Sequence, residues 1–287
     1  MESKKALLIY SPEDITKNGW FIRHLTEISK KRGISLGLLT PEDCLDLFDL
    51  QKKRNKKVED ISFVINRSRD YHISELFESE DIPSYNNSLT VKTGNDKYEE
   101  YLLFKRIGLE TMETAEAVDF LKNPEAFLEI TEGGEFVLKK KDGHGGSQVF
   151  KVKDIKECRD AIGSEAPDGW IVQRMCSDPG RDVRVYMIGE KICAAVLRTS
   201  DEDFRSNFSL GGKAESCEPD DSMKRACNKI ANALGSDYIG VDFIEDMGRW
   251  VINEIEDAAG ARMLYSLCTL DIAELFIEHI CEKTFQI

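Results

Sequence analysis

Three short apolar runs near the start of the chain are KALLIY (Lys5–Tyr10), ISLGLL (Ile34–Leu39) and ISFVIN (Ile61–Asn66), and segments of helical character separate them. Runs this short, bounded by turn residues, suit buried strands better than helices. Residues 18–32 carry an amphipathic pattern that stops at Gly33, a good C-cap. Thr40 before Pro41 reads as the N-cap and first position of the next helix. ISELFESE (Ile73–Glu80) reads as a third helix and IPSYNN (Ile82–Asn87) as an extended exit. Strand–helix alternation of this kind predicts a small parallel α/β domain over residues 1–88.

After Asn87 the pattern changes. A helix over 95–107 ends at Gly108. Strand-rich stretches follow: EFVLKKKDGHGGSQVFKV (Glu135–Val152), GWIVQRM (Gly169–Met175) and RDVRVYMIGEKICAAVLR (Arg181–Arg198). A helix near 219–234, a hairpin over 238–256 and a closing helix near 269–283 complete an α+β unit. The length of 287 residues agrees with about two domains.

Composition narrows the function classes. A net charge of -14 argues against nucleic-acid binding, which needs a basic surface. The one basic run, QKKRNKK (Gln51–Lys57), reads as a solvated loop. No apolar run approaches the ~20 residues of a membrane helix, and the N-terminal apolar block reads as a first strand, not a signal peptide. The eight cysteines form no C-x-x-C pair and read as reduced thiols of a cytoplasmic protein.

Three features carry chemistry. In VINEIEDAAGAR (Val251–Arg262), Glu254, Glu256 and Asp257 crowd three carboxylates into four residues. Alternation along a strand puts Glu254 and Glu256 on one face, where like charges repel. A three-residue loop Met247–Arg249 would set Asp242 opposite Glu254. Clustered hard oxygen donors without Cys or His suit Mg²⁺, or Mn²⁺; an acidic solvated face is the other reading. Next, Lys139 precedes a loop with Gly143, Gly145 and Gly146, whose backbone N–H groups suit an anion. No G-K-[S/T] closes it, so it is not a Walker loop, and an ordinary glycine-rich hairpin stays open. Last, Asp182 and Arg184 alternate on one strand, and Arg198, Arg205 and Asn207 follow. Arginine suits bidentate recognition of carboxylate or phosphate, although surface arginines are commonly just solvated. Arg67, at the carboxyl end of the third strand, is a candidate substrate contact or a solvated turn residue.

The order of these pieces resembles the ATP-grasp superfamily, and within it the branch of ribosomal-protein glutamate ligases and glutathione-synthetase-like enzymes. Asn86-Asn87-Ser88, Asp96-Lys97, DVR (Asp182–Arg184) and FRSNFSLGG (Phe204–Gly212) carry the likeness, which covers roughly residues 86 to 262. The resemblance implies a two-lobed ATP-grasp domain over 89–287, with lobes near 110–174 and 175–287, behind the first domain. It implies that Lys97 and Lys139 hold phosphates under a flap 143–147 that includes Ser147. It implies that VQRM, with Gln173, Arg174 and Met175, lies beside adenine, and that Asp182 is near the nucleotide. Arg184, Arg205 and Asn207 would serve the transferring phosphoryl group, and Asp242, Glu254 and Glu256 one or two Mg²⁺. Metal and nucleotide would then explain the crowded acids. The chain departs from the branch at Glu256, where Asn is usual, and at DAAGARMLY, where the acceptor loop differs; Arg262 could bind a substrate carboxylate there or form an ion pair. The implied activity joins a carboxylate, of an amino acid or peptide, to an amine through an acyl-phosphate. A nucleotide-binding regulatory or scaffold module, a D-alanine–D-alanine-type ligase and a phosphotransferase are the alternatives, and a homo-oligomer stays open.

Overall fold

The computed structural model describes residues 4–54, 58, 60–131, 135–146, 148–200 and 213–285. The opening alternation is β1 (Lys4–Ile9), α1 (Pro12–Lys31), β2 (Ile34–Leu39), α2 (Pro41–Lys53), β3 (Ile61–Asn66), α3 (Tyr71–Glu78) and β4 (Ser84–Tyr85). Its strands form one parallel sheet in the order β2-β1-β3-β4. Helix α1 begins six residues earlier than its apolar pattern, because Ser11 caps Asp14 and Pro12 occupies the first turn. Thr40 and Asp43 form a reciprocal capping box at α2. That helix runs into the basic stretch as far as Lys53; Asn55–Lys57 lie outside the described residues.

Two short helices follow, α4 (Ser88–Thr93) and α5 (Lys97–Arg106); α5 is the helix expected over 95–107, and α4 is an additional one before it. Gly94 separates them, and Asp96 caps α5 through the N–H groups of Tyr98 and Glu99. Then come β5 (Thr114–Glu116), α6 (Ala117–Lys122), α7 (Pro124–Ile130), β6 (Phe136–Lys140), β7 (Val149–Val152), α8 (Ile155–Ile162) and β8 (Trp170–Arg174). Their antiparallel sheet has the order β5-β8-β6-β7, and the glycine loop joins β6 to β7. The rest is β9 (Arg181–Ile188), β10 (Lys191–Thr199), β11 (Lys213–Cys217), α9 (Asp221–Leu234), β12 (Tyr238–Asp246), β13 (Arg249–Glu256), α10 (Arg262–Leu267) and α11 (Ile272–Phe285). These strands make a second antiparallel sheet, β11-β10-β9-β12-β13.

Each antiparallel sheet is lined by its own apolar cluster, one around Phe120, Phe136 and Trp170, the other around Val185, Ile230 and Phe243. A third cluster crosses between units: Phe21, Leu25 and Ile28 of α1 share it with Phe276, Ile277 and Ile280 of α11. Closing helix and first helix are thereby packed together. All eight cysteines are free thiols. Among the described residues no helix is long and apolar enough to cross a membrane.

The β12–β13 hairpin corrects one expectation. Its turn is the two-residue Met247–Gly248, both left-handed at φ 50 and 73, not a three-residue loop. Near the turn Phe243 faces Ile252. The register then slips by one, so that Asp242 faces Glu254 after all. A bulge at Asn253 supplies the residue that the loop lacks.

Candidate active site

A cleft lies between the two antiparallel sheets. The first sheet contributes Lys139, Gln173 and Arg174, with Met175 just beyond, and the glycine loop with Gly143, Gly145 and Gly146. The second contributes Asp182, Asn253, Glu254 and Glu256, and Lys97 enters from α5. Every residue that the sequence proposed for the cleft and that the structure describes is therefore at the cleft or directly beneath it. Ser147, Arg205 and Asn207 lie outside the described residues.

Strand pairing builds the floor. Asp242 on β12 faces Arg184 on β9, and Asp182 on β9 faces Arg198 on β10. Arg184 donates from Nε and Nη2 to both Asp242 oxygens, at 2.8 and 2.6 Å, and from Nη1 to Glu256 Oε2 at 2.6 Å. Arg198 donates to both oxygens of Asp182 and, at 2.7 Å, to Asp242 Oδ2. A chain of alternating charge thus runs Glu256–Arg184–Asp242–Arg198–Asp182. Burial opposes ionisation of Asp242, but the two guanidiniums outweigh it and hold the carboxyl down at about 2. One oxygen each from Asp242, Glu254 and Glu256 lies within 4.8 Å of the others. Part of what makes the crowded acids tolerable is therefore the protein's own arginines.

The lysines sit opposite. Lys97 opens α5, donates to the Gly143 carbonyl at 2.6 Å and lies 3.8 Å from Glu254. Lys139 donates to Gln173 Oε1 at 2.7 Å and to Asn253 Oδ1 at 3.0 Å. Gln173 is itself fixed by Thr114. Burial lowers the Lys139 ammonium below the ordinary lysine range, against the pull of Glu254. The Arg174 guanidinium is held by Asp246.

Other candidates resolve differently. Arg67 is no solvated turn residue: only 5% exposed, it donates to Tyr10 Oη at 2.6 Å and to the Ala259 carbonyl at 2.8 Å. It braces the loop that follows β13. Arg262 is exposed at the start of α10. Sequence reasoning missed Asn253, Glu100 and the pairing role of Arg198. A bulge residue has no periodic signal, and Glu100 is one charged residue among several on a charged helix.

Asp257, next to the acid pair, is buried, and its Oδ2 has no hydrogen-bond partner among the described residues. Burial pushes its carboxyl from 3.8 up to about 6, against the opposing effects of Arg69, Asn95 and Arg67. A raised carboxyl penalises the ionised folded state, so stability falls as pH rises from about 4 to about 6 and stays lower above that. The penalty is roughly 3 kcal/mol, and an amide in its place leaves a buried N–H costing about 1 kcal/mol or more. Asp257→Asn should therefore raise Tm at pH 8 by the equivalent of about 1–2 kcal/mol and lose the advantage at pH 4. Thermal unfolding at the two pH values checks this; an equal effect at both would refute the burial argument.

The donor set fits the groups that such a cleft could hold. Three carboxylates offer hard oxygens to a divalent cation, with Glu254 and Glu256 accessible from the cleft. Two lysines and a loop with Gly145 and Gly146 at φ 67 and 76 suit a polyphosphate. A strand-and-glycine flap over one lobe, facing carboxylates on a hairpin of the other, defines the ATP-grasp class of ligases. The RimK-like ATP-grasp domain matches residues 94–280, and the chain belongs to that family of enzymes. An uncharacterized protein of Mycoplasma pneumoniae, the MG011 homolog, is 30% identical over 93% of this chain and 89% of its own length. A probable alpha-L-glutamate ligase of Xanthomonas euvesicatoria is 28% identical, covering 90% of this chain and 92% of that protein. The D-alanine–D-alanine ligase of Bacillus anthracis complexed with ATP shares the fold, with a TM-score of 0.74 at 15% identity over 100% of this chain and 98% of that one.

Proposed function

We propose that the protein is an ATP-dependent carboxylate–amine ligase, acting on an amino acid or peptide. The observation that carries this is the convergence of Asp242, Glu254 and Glu256, across one cleft, with Lys97 and Lys139 under a glycine loop. A substrate carboxylate oxygen attacks the γ-phosphorus of ATP, the bond to the β-phosphate oxygen breaks, and an acyl-phosphate and ADP result. An amine nitrogen then attacks the acyl carbon, the C–O bond breaks, phosphate leaves, and the amine proton passes to solvent. When bound, Mg²⁺ neutralises phosphate charge during the transfer.

The chain's own residues supply position and charge. Lys97 and Lys139 hold the phosphates, Lys139 being aimed by Gln173 and Asn253. Glu254 and Glu256 present oxygens to one or two Mg²⁺, with Asp242 completing the cluster; Mn²⁺ could stand in. The backbone at Gln173 and Met175 faces the base. Asp182, fixed by Arg198, borders the nucleotide. The loop with Gly143, Gly145, Gly146 and Ser147 closes over the triphosphate and keeps water from the acyl-phosphate. Lys97 already touches that loop, so phosphate binding and closure share one side chain. Arg184 neutralises the floor; Arg205 and Asn207 serve the transferring phosphoryl group. The names of the relatives support an amino-acid or peptide substrate.

A second reading is nucleotide binding without turnover. It is favoured by Arg184 and Arg198, which already satisfy Asp242, and by the further bond from Arg184 to Glu256. ADP release with Mg²⁺–ATP, measured over a panel of amino acids, peptides and dicarboxylates singly and in pairs, separates the two. Release that requires a carboxylate and an amine, with a product of the condensation mass, establishes the ligase. Tight ATP binding with no release on any pair favours the second reading.

A further inference from the structure

Helix α5 reaches the site twice. Lys97 opens it, and one turn later Glu100, 2% exposed, passes beneath β13. Its Oε1 accepts the N–H of Ile255 at 2.8 Å, and Ile255 stands between Glu254 and Glu256. Strand β13 is the edge of its sheet, so one side of its backbone has no strand partner in the sheet. On that side the Ile252 N–H meets the Glu110 carbonyl at 3.1 Å, and the next N–H held is that of Ile255. In a regular strand the outward N–H groups recur every second residue. Here they are three residues apart, which is the signature of the Asn253 bulge. Gly94, at the head of the same segment, lies so near that an added Cβ would come 3.3 Å from the Ile255 carbonyl oxygen. The α4–α5 segment thus packs closely along Ile255, with Glu100 holding its N–H.

The second oxygen, Glu100 Oε2, is buried without a hydrogen-bond partner among the described residues. A buried carboxyl half unsatisfied is costly, and packing alone would be better served by an apolar side chain. The cost makes sense if the acceptor itself is needed. A slip of one residue would turn Glu254 and Glu256 to the other face of the sheet.

We propose that Glu100 is a positioning residue: by holding the Ile255 N–H it fixes the Asn253 bulge, and so keeps Asp242, Glu254 and Glu256 converged on one cation. This rests on the reading of those three acids as a metal site. The test compares E100Q, which keeps an acceptor oxygen, with E100M, which has similar length and none. Free Mn²⁺ is followed by electron paramagnetic resonance during titration in the presence of ADP, and exchange of the Ile255 amide by NMR or mass spectrometry. Loss of an outer-shell partner typically weakens metal binding 10–100-fold. E100M is expected to weaken Mn²⁺ about tenfold or more and to speed Ile255 exchange, while E100Q stays within about threefold of the unsubstituted protein. Unchanged Mn²⁺ affinity in E100M, with Ile255 exchange accelerated, overturns the proposal. If E100M does not fold, E100D takes its place: one methylene shorter, it should fail to reach the N–H, and unchanged Mn²⁺ affinity overturns the proposal equally. An unsubstituted protein that binds no Mn²⁺ with ADP removes the metal reading and the positioning role together, an outcome distinct from either variant result.

Discussion

Replacing Glu254 by glutamine is expected to lower ADP release on the order of 10³-fold, with Tm unchanged within about 2 °C. Of the two acids that line the cleft, Glu254 is the one that Lys97 faces at 3.8 Å, and no arginine holds it in the described structure. Removing its charge costs the metal site a hard ligand while changing neither volume nor backbone. Transition-state charge stabilisation by a bound metal amounts to several kcal/mol, and about 4 kcal/mol corresponds to a 10³-fold change in rate. Folding should barely respond, because a partly exposed side chain outside the core contributes within about 0.5 kcal/mol. Steady-state ADP release, beside thermal unfolding, decides it. Turnover within tenfold of the unsubstituted enzyme would remove Glu254 from the metal site.

Arg184→Met should act on stability. Arg184 is buried, and it holds both oxygens of Asp242 and one of Glu256. Its loss leaves Asp242 with Arg198 alone in a nearly dry position. Breaking one partner of a buried pair costs about 3–5 kcal/mol, because the other charge stays uncompensated. Tm should therefore fall by roughly 10 °C. Asp242→Asn added to Arg184→Met should recover part of the loss, giving a coupling energy of about 1 kcal/mol or more. The pH response has a fixed sign. Asp242 is held near 2 in the fold against 3.8 unfolded, so its contribution is complete above about 4 and disappears as pH falls through about 2. Without Arg184 the folded value rises, and acid unfolding should begin at higher pH. A loss below about 1 kcal/mol in denaturant unfolding would mean that Arg198 suffices.

Much of the architecture was legible in the chain. The parallel first sheet follows from apolar runs that alternate with capped helices, and caps at Thr40 and Gly33 could be read because their chemistry is local. The glycine hairpin after Lys139 was legible for the same reason. The order of motifs in the sequence pointed to the family that the comparisons then showed. The helix expected over 95–107 is α5, trimmed at its start by the Asp96 cap, whereas α4 spans only six residues, too few to show a helical period.

The facing of Asp242 and Glu254 was anticipated from a loop that does not exist: a shorter turn and a bulge give the same register. Counting residues along one hairpin cannot tell these apart, since each adds one residue to the same side. What the sequence determined by itself is which groups are available: three acids on one hairpin, two lysines, and a loop free to take left-handed angles. What only the tertiary structure decided is who meets whom. Arg184 reaches Asp242 because β9 pairs with β12, a strand fifty residues on, and Arg198 joins because β10 flanks β9. Glu100 reaches Ile255, and Arg67 reaches Ala259, across 155 and 192 residues of chain. Such pairings come from sheet order and the burial of apolar faces, which set non-local distances that no local pattern encodes. A carboxylate in this sequence is only a charge; strand order makes some of them partners of arginine and leaves Glu254 turned to the cleft.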